Sequence, residues 1–248
     1  MLPGRSAKEL LMPNRCNRNV GLVLGTAIIV VAGTAISQGE GRVVAESRFT
    51  VIDPPAQAAL VQLVVDFPPG AWTSVHTHGG QAINLVLEGE ITLRHGSHDR
   101  PHKAGQAWTD EANVVHAAGN TGSGKARLLT NFLLPEGAPQ ITAIQDSPFE
   151  PTVLYQARFP VSALPDGTDI VQQVVDLPSG ERMQRAYDSF VAALVVDGEV
   201  TYKIGEEQKK YTAGQSWFAP AGTRVAGENS SAGNARVFMT YLPSSRAR

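Results

Sequence analysis

One cysteine, Cys16, is all that the 248 residues contain. It lies near the N-terminus, so the rest of the chain forms no disulfide, and cysteine usage leaves the compartment open. Charge of one sign is lacking too. Against 23 acidic residues stand 21 basic ones, a net charge of −2, which gives no reason to expect nucleic acid as a partner. Beyond residue 37 no stretch of ten or more residues keeps a helical hydrophobic period, which argues against a helical protein. What is plentiful points to strands. The 24 glycines and 16 prolines call for many turns. Val61 to Phe67 and Ile83 to Leu87 are apolar runs rich in branched residues, and Ile91 to Arg94, Val200 to Ile204 and Arg236 to Leu242 alternate with the period of a strand.

The first 37 residues differ from the rest. Arg5, Lys8, Arg15 and Arg18 stand against one acid, Glu9, and then Val20 to Ser37 carries no charge. A basic start, an apolar run and the small residues Ala35 and Ser37 describe a secretory signal peptide cut after Ser37. The uncharged run of 18 residues also reaches the low end of the roughly 17–25 that span a bilayer, so an uncleaved inner-membrane anchor is the alternative. Removal of four of the 21 basic residues and one of the 23 acidic ones leaves a mature chain of net charge −5. The expected location is periplasmic or secreted, with any membrane contact confined to residues 1–37.

The remainder is a repeat. Arg48-Phe49 recurs as Arg158-Phe159, and Val61-Gln-Leu-Val-Val-Asp-Phe-Pro-Pro-Gly70 recurs as Val171-Gln-Gln-Val-Val-Asp-Leu-Pro-Ser-Gly180, both 110 positions on. One residue is then lost: Leu85 to Glu90 pairs with Leu194 to Glu199, Gly105-Gln-Ala-Trp108 with Gly214-Gln-Ser-Trp217, and Asn120 with Asn229, at an offset of 109. Two copies of one β unit are expected at 38–145 and 146–248, joined at Asp146-Ser-Pro-Phe-Glu-Pro151. Glu88-Gly-Glu90 and Asp197-Gly-Glu199 read as tight turns in which glycine supplies a positive φ.

The histidines are confined to the first copy. His76 and His78 stand two apart, a spacing that places both side chains on one face of a strand, and His116 follows in a similar setting. Neutral imidazoles suit Fe, Mn, Ni, Cu and Zn, and three of them on a rigid scaffold leave coordination positions open. Gly70-x5-His76-x-His78, ending at Gly89, resembles the first cupin motif. Gly105-x5-Glu111-x-Asn113-x2-His116-x3-Asn120 resembles the second, with Glu111 and Asn113 where cupins usually carry proline and glycine; Pro220 and Gly222 restore these in the second copy.

The resemblance implies an all-β protein, two tandem cupin-type jelly-roll β-barrels after the N-terminal segment, similar to quercetin-dioxygenase-like bicupins. It implies His76, His78 and His116 as ligands of one divalent transition metal, and a glutamate at the slot that Ala82 occupies here. Gln81 is adjacent, and reaches the metal only through a bulge or if the strand starts after it. Strand parity makes Asn84 a substrate-pocket candidate, and Trp72 a pocket wall or a core residue; Phe132, on the last strand of the copy, is another candidate. His95, His98 and His102 lie in a polar stretch expected to be a solvated loop. At an offset of 110, His76 and His78 correspond to Ala186 and Asp188, and at 109 His116 corresponds to Val225, so the second copy should hold no metal. Trp108 and Trp217, matched in both copies, are expected in the core.

The expected function is that of an exported metal-dependent cupin, an oxygenase-type enzyme acting on a small oxygen-bearing substrate. A non-catalytic binding protein and a redox-neutral isomerase or lyase are the alternatives. Cupin barrels often pair edge to edge, so the resemblance allows a homo-oligomer.

Overall fold

The computed structural model describes residues 41–162 and 164–243; the N-terminal segment 1–37, with its export reading, lies outside them. Among the described residues there are nineteen strands and no helix. The first copy contributes β1 (Arg42–Val51), β2 (Gln57–Phe67), β3 (Val75–Thr77), β4 (Gln81–Glu88), β5 (Glu90–His95), β6 (His98–Lys103), β7 (Ala107–Asp110), β8 (Ala117–Gly119), β9 (Ala126–Pro135) and β10 (Thr142–Gln145). The second contributes β11 (Thr152–Ser162), β12 (Thr168–Leu177), β13 (Arg182–Ala186), β14 (Val191–Asp197), β15 (Glu199–Ile204), β16 (Glu207–Thr212), β17 (Ser216–Ala219), β18 (Arg224–Glu228) and β19 (Ala235–Tyr241).

These strands form two jelly-roll barrels. In the first, the five-stranded sheet β11-β2-β9-β4-β7 packs on the small sheets β6-β5-β8 and β10-β3; in the second, β1-β12-β19-β14-β17 packs on β13-β18-β15-β16. Each large sheet takes its outer strand from the other copy. β1 runs antiparallel to β12, from Arg42 opposite Asp176 to Val51 opposite Thr168. β11 runs antiparallel to β2, from Thr152 opposite Asp66 to Ser162 opposite Gln57.

The exchange creates three apolar cores. Val61, Leu63, Val65 and Phe67 point into the first barrel with Val86, Ile91 and Phe132. Leu60 and Val64, on the opposite face of β2, pack between the large sheets with Phe49, Phe159, Ile170 and Phe238. Val171, Val175 and Leu177 fill the second barrel with Tyr202 and Trp217. β2 is therefore covered on both faces, which is why its sequence is a continuous apolar run and not an alternation. Burial of each such Val or Leu contributes about 1.5–3 kcal/mol.

At the middle of the inter-barrel face the core is polar. The Gln62 amide donates to Thr240 Oγ1 at 2.9 Å, Thr240 donates to Asn131 Oδ1 at 3.0 Å, and Asn131 donates to Gln172 Oε1 at 2.7 Å. Gln62 and Gln172 are repeat equivalents, as are Asn131 and Thr240, so the cluster is built from the same two positions of each copy.

Other repeat matches do scaffold work. The Asn120 amide donates to the carbonyls of Phe67 and Gly124, and Asn229 does the same for Leu177 and Gly233. Arg127 donates through two nitrogens to the Asp66 carboxylate, and Arg236 to Asp176. The turns between β4 and β5 and between β14 and β15 put Gly89 at φ +72° and Gly198 at φ +74°. A Cβ there would meet a backbone oxygen at 2.6 Å and 2.4 Å respectively, so glycine is required twice over.

Candidate metal centre

His76 lies in β3, His78 directly after it, and His116 directly before β8. The backbones of His76 and His116 exchange both N–H···O bonds, at 2.9 and 3.0 Å, which sets the two rings side by side. A turn delivers His116: Asn113 adopts φ +62°, donating its N–H to the His78 carbonyl at 2.8 Å. Gly222 occupies the equivalent place at φ +77°. Asparagine tolerates this left-handed conformation, so Asn113 keeps the turn that the glycine of the second copy makes.

The three rings meet. Their centroids are 4.5–4.7 Å apart, and one ligand atom from each lies within 4.8 Å of the others. All three are buried. Each Nδ1 sits beside a backbone carbonyl: Ser74 at 2.7 Å from His76, Gln140 at 2.9 Å from His78, Val114 at 2.9 Å from His116. A carbonyl only accepts, so each Nδ1 carries the proton and each Nε2 keeps a free lone pair. Burial holds all three below the usual histidine range, His78 down to about 3, against the raising effect of those carbonyls. Three neutral, oriented imidazoles with free Nε2 atoms are the donor set a divalent transition ion takes.

They line a cavity of about 400 Å³ in the first barrel. Its walls are largely apolar, among them Leu63, Val65, Leu128 and Phe132, with the Phe132 ring 4.7 Å from that of His78. Ile141, Ala143, Asp146, Glu150 and Val153 also line it. Neither lysine nor arginine is among the described residues that line it.

Ala82, Asn84 and Val86 are buried on the barrel side of β4, and Asn84 lines the cavity. It accepts from Thr130 Oγ1 at 2.8 Å and donates to Asp110 Oδ2 at 2.8 Å. Asp110 also accepts from Trp108 Nε1 at 3.1 Å, stands 3.5 Å from His116 Nε2, and has its second oxygen, Oδ1, buried without a partner. Burial pushes this carboxyl up to about 6, against the hydrogen bonds from Trp108 and Asn84.

Asp110 is a site residue without a place in the motifs: it falls in the unspecified stretch between Gly105 and Glu111. Two signals point to it. It shares strand parity with Trp108, which faces inward, and its repeat equivalent is Ala219. Asn84 and Thr130 likewise have Ala193 and Met239 as equivalents.

The other candidates lie elsewhere. Gln81 borders a separate recess with Thr50, Pro54 and Glu111, away from the three rings, and no bulge turns it inward. Trp72 does not line the cavity: its ring lies against Gly119, under the Arg94 guanidinium at 4.0 Å. The stretch with the other histidines is not a loop but a hairpin, β5–β6, in which His95 pairs with His98 and His102 is buried against the Trp108 ring at 4.3 Å. His95 reaches the site's edge, its ligand atom within 4.8 Å of those of Asp110 and His116.

The lost residue of the repeat also falls earlier than an offset of 110 at the histidines implies. Arg185 pairs with Val225 as His76 pairs with His116, and Tyr187 accepts from Gly222 as His78 accepts from Asn113. The second copy thus carries Arg185, Tyr187 and Val225 at the three ligand positions, in place of Ala186 and Asp188 for the first two.

A cupin-fold protein with a candidate three-histidine metal site is what these features define. Comparison supports that placement: the family profile described as "Cupin domain" matches residues 63–132, the segment that contains all three histidines. No curated protein matches the chain in sequence. Solved structures share the fold at low identity. AerE from Microcystis aeruginosa is 18% identical, covering 82% of this chain and 97% of its own, with TM-score 0.52. A vicilin from Solanum melongena is 9% identical over 84% and 83%, TM-score 0.58. The oxalate decarboxylase of Bacillus subtilis, described with Mn(II) centres, is 12% identical over 87% and 80%, TM-score 0.51.

Proposed function

We propose that the protein is an exported metalloenzyme of the oxygenase type, acting in the first barrel on a small, oxygen-bearing and largely apolar substrate such as an enol, a diketone or a catechol-like phenol. The observation that carries the metal is the matched set of Nδ1–carbonyl contacts, which leaves three Nε2 lone pairs free in one buried cavity. His76, His78 and His116 hold the ion, one of Fe, Mn, Ni, Cu or Zn. When bound, such an ion supplies Lewis acidity toward a substrate oxygen and, if redox-active, electrons for dioxygen.

The chain's own residues do the rest. The apolar walls around Phe132 take the carbon skeleton and exclude water. Asn84, held by Thr130, presents a polar edge beside the histidines. Asp146 and Glu150 on the lining, with no lysine or arginine there among the described residues, disfavour anionic substrates and select neutral ones. A redox-neutral isomerase or lyase, and a non-catalytic binding protein, would use the same cavity. Residues 1–37 are taken as the export signal, giving a periplasmic or secreted protein, or an inner-membrane-anchored one if uncleaved.

The test combines metal analysis with oxygen uptake. The purified chain is assayed against a panel of enolisable and phenolic compounds and small carboxylates. Oxygen consumption with the neutral compounds, abolished in His116→Ala, is expected. Turnover of carboxylates without oxygen would move the assignment to the redox-neutral reading, and metal without any turnover would move it to the binding protein.

A further inference from the structure

Asp110 is an expensive residue to place where it is. It is buried at the end of β7, with Oδ1 unpartnered and Oδ2 held by Asn84 and Trp108, 3.5 Å from His116 Nε2. A buried carboxylate without full compensation is unfavourable, so something other than stability accounts for it. The second copy shows that the fold does not require it. The same strand of the second barrel carries Ala219, buried; Trp217 keeps the place of Trp108, but Ala193 replaces Asn84, which donates to Asp110, and Met239 replaces Thr130, which donates to Asn84. The carboxylate, Asn84 with its partner Thr130, and the three histidines are present together in one copy and missing together from the other.

We propose that Asp110 is the fourth protein donor to the metal held by His76, His78 and His116, an assignment that rests on the three-histidine reading. Two donor atoms bound to one ion at about 2.0–2.2 Å stand roughly 3.0–3.5 Å apart for angles between octahedral and tetrahedral. His116 Nε2 and Asp110 Oδ2 already stand at 3.5 Å; Asp110 groups with His116 and His95 rather than with His76 and His78, so it would join the set from the His116 side. Charge favours the same assignment. A divalent ion on three neutral imidazoles leaves two positive charges in an apolar cavity, and one carboxylate halves that. Asp110 also lies directly across from Ala82 in the β4–β7 pairing, on the same face. The anionic donor therefore comes from the neighbouring strand, beside the slot where the cupin resemblance places a glutamate and this chain has alanine.

The experiment loads the full chain with Co(II) and separately with Mn(II), and compares wild type, Asp110→Asn and Asp110→Ala by titration calorimetry, Co(II) visible absorption and Mn(II) EPR. Asp110→Asn keeps a side-chain oxygen for Trp108 and Asn84, and the melting curve of the metal-free protein checks that both variants fold. Loss of affinity of about 100-fold or more in both variants, with an altered Co(II) spectrum and a cooperative apo melting transition, is expected. Wild-type affinity and spectrum in both variants would overturn the role of Asp110 while leaving the three histidines in place. A wild-type chain that binds neither ion would overturn the three-histidine reading itself.

Discussion

Replacement of Asn131 by alanine should destabilise the packing between the two barrels. Asn131 is fully buried between the large sheets, where it accepts from Thr240 and donates to Gln172. Removing it deletes two hydrogen bonds, worth about 1 kcal/mol each, and leaves the Gln172 oxygen buried without a donor, a further cost of roughly 1–3 kcal/mol. The Gln172 amide nitrogen already lacks a partner, so no alternative bond stands ready to absorb the loss. The sum is roughly 3–5 kcal/mol, a large share of the total stability of a typical protein. For a chain of this length that is a fall of about 6–20 °C in Tm.

The assay is urea unfolding followed by circular dichroism and by tryptophan fluorescence, with Trp217 reporting on the second barrel and Trp108 on the first. Because β1 and β11 are exchanged, both probes should move at one midpoint, in the wild type and in the variant. Replacing all four polar residues by apolar ones of similar size should cost less than the single change, since no orphaned group remains. A loss under about 1 kcal/mol for Asn131→Ala, or two separate midpoints in the wild type, would refute the reasoning.

Alkaline conditions should act mainly on the second barrel: burial raises Tyr187 to about 12 and raises Tyr202 further, so between pH 10 and 12 the unfolded chain loses protons that the folded chain keeps. Stability then falls with rising pH, by up to about 2.7 kcal/mol per pH unit for the two groups, and Tyr202→Phe should flatten the slope of pH-dependent melting. At the acid end, Arg127 lowers the Asp66 carboxyl, so the stabilisation is present above pH 3.8 and is lost as pH falls through the folded value. Melts of wild type and Asp66→Asn should differ at pH 7, and the difference should shrink as the pH falls through the folded value of Asp66. Gly119→Ala would place a Cβ 2.1 Å from the Trp72 ring; displacement of Trp72 from beneath Arg94 should cost roughly 1–3 kcal/mol in thermal melts without removing a metal donor.

The strands and the three histidines of the candidate site were legible because they obey local rules. Val61 to Phe67 reads as a strand from composition alone, and His76 and His78 declare their shared face by spacing. Strand exchange was not legible. Arg48-Phe49 and Arg158-Phe159 are the same dipeptide in the same repeat position, so β1 and β11 fit either large sheet equally well by pattern. Only the three-dimensional packing of Phe49 and Phe159 into the inter-barrel core distinguishes the partners. Asp110 was legible in principle, through its parity with Trp108 and its mismatch with Ala219, yet it falls in the unspecified five residues between Gly105 and Glu111 of the family motif, which passes over it. Trp72 fails as a pocket wall because β3 is only three residues long, so parity counted back from His76 does not extend to it.

The central claim, one metal centre confined to the first barrel, is tested most directly by elemental analysis of the purified chain with quantitative metal titration. One transition-metal ion per chain is expected, with binding lost in His76→Ala, His78→Ala and His116→Ala and unaffected by Arg185→Ala in the second barrel. No ion in the wild type, two ions per chain, or full occupancy after removal of His116 would contradict it.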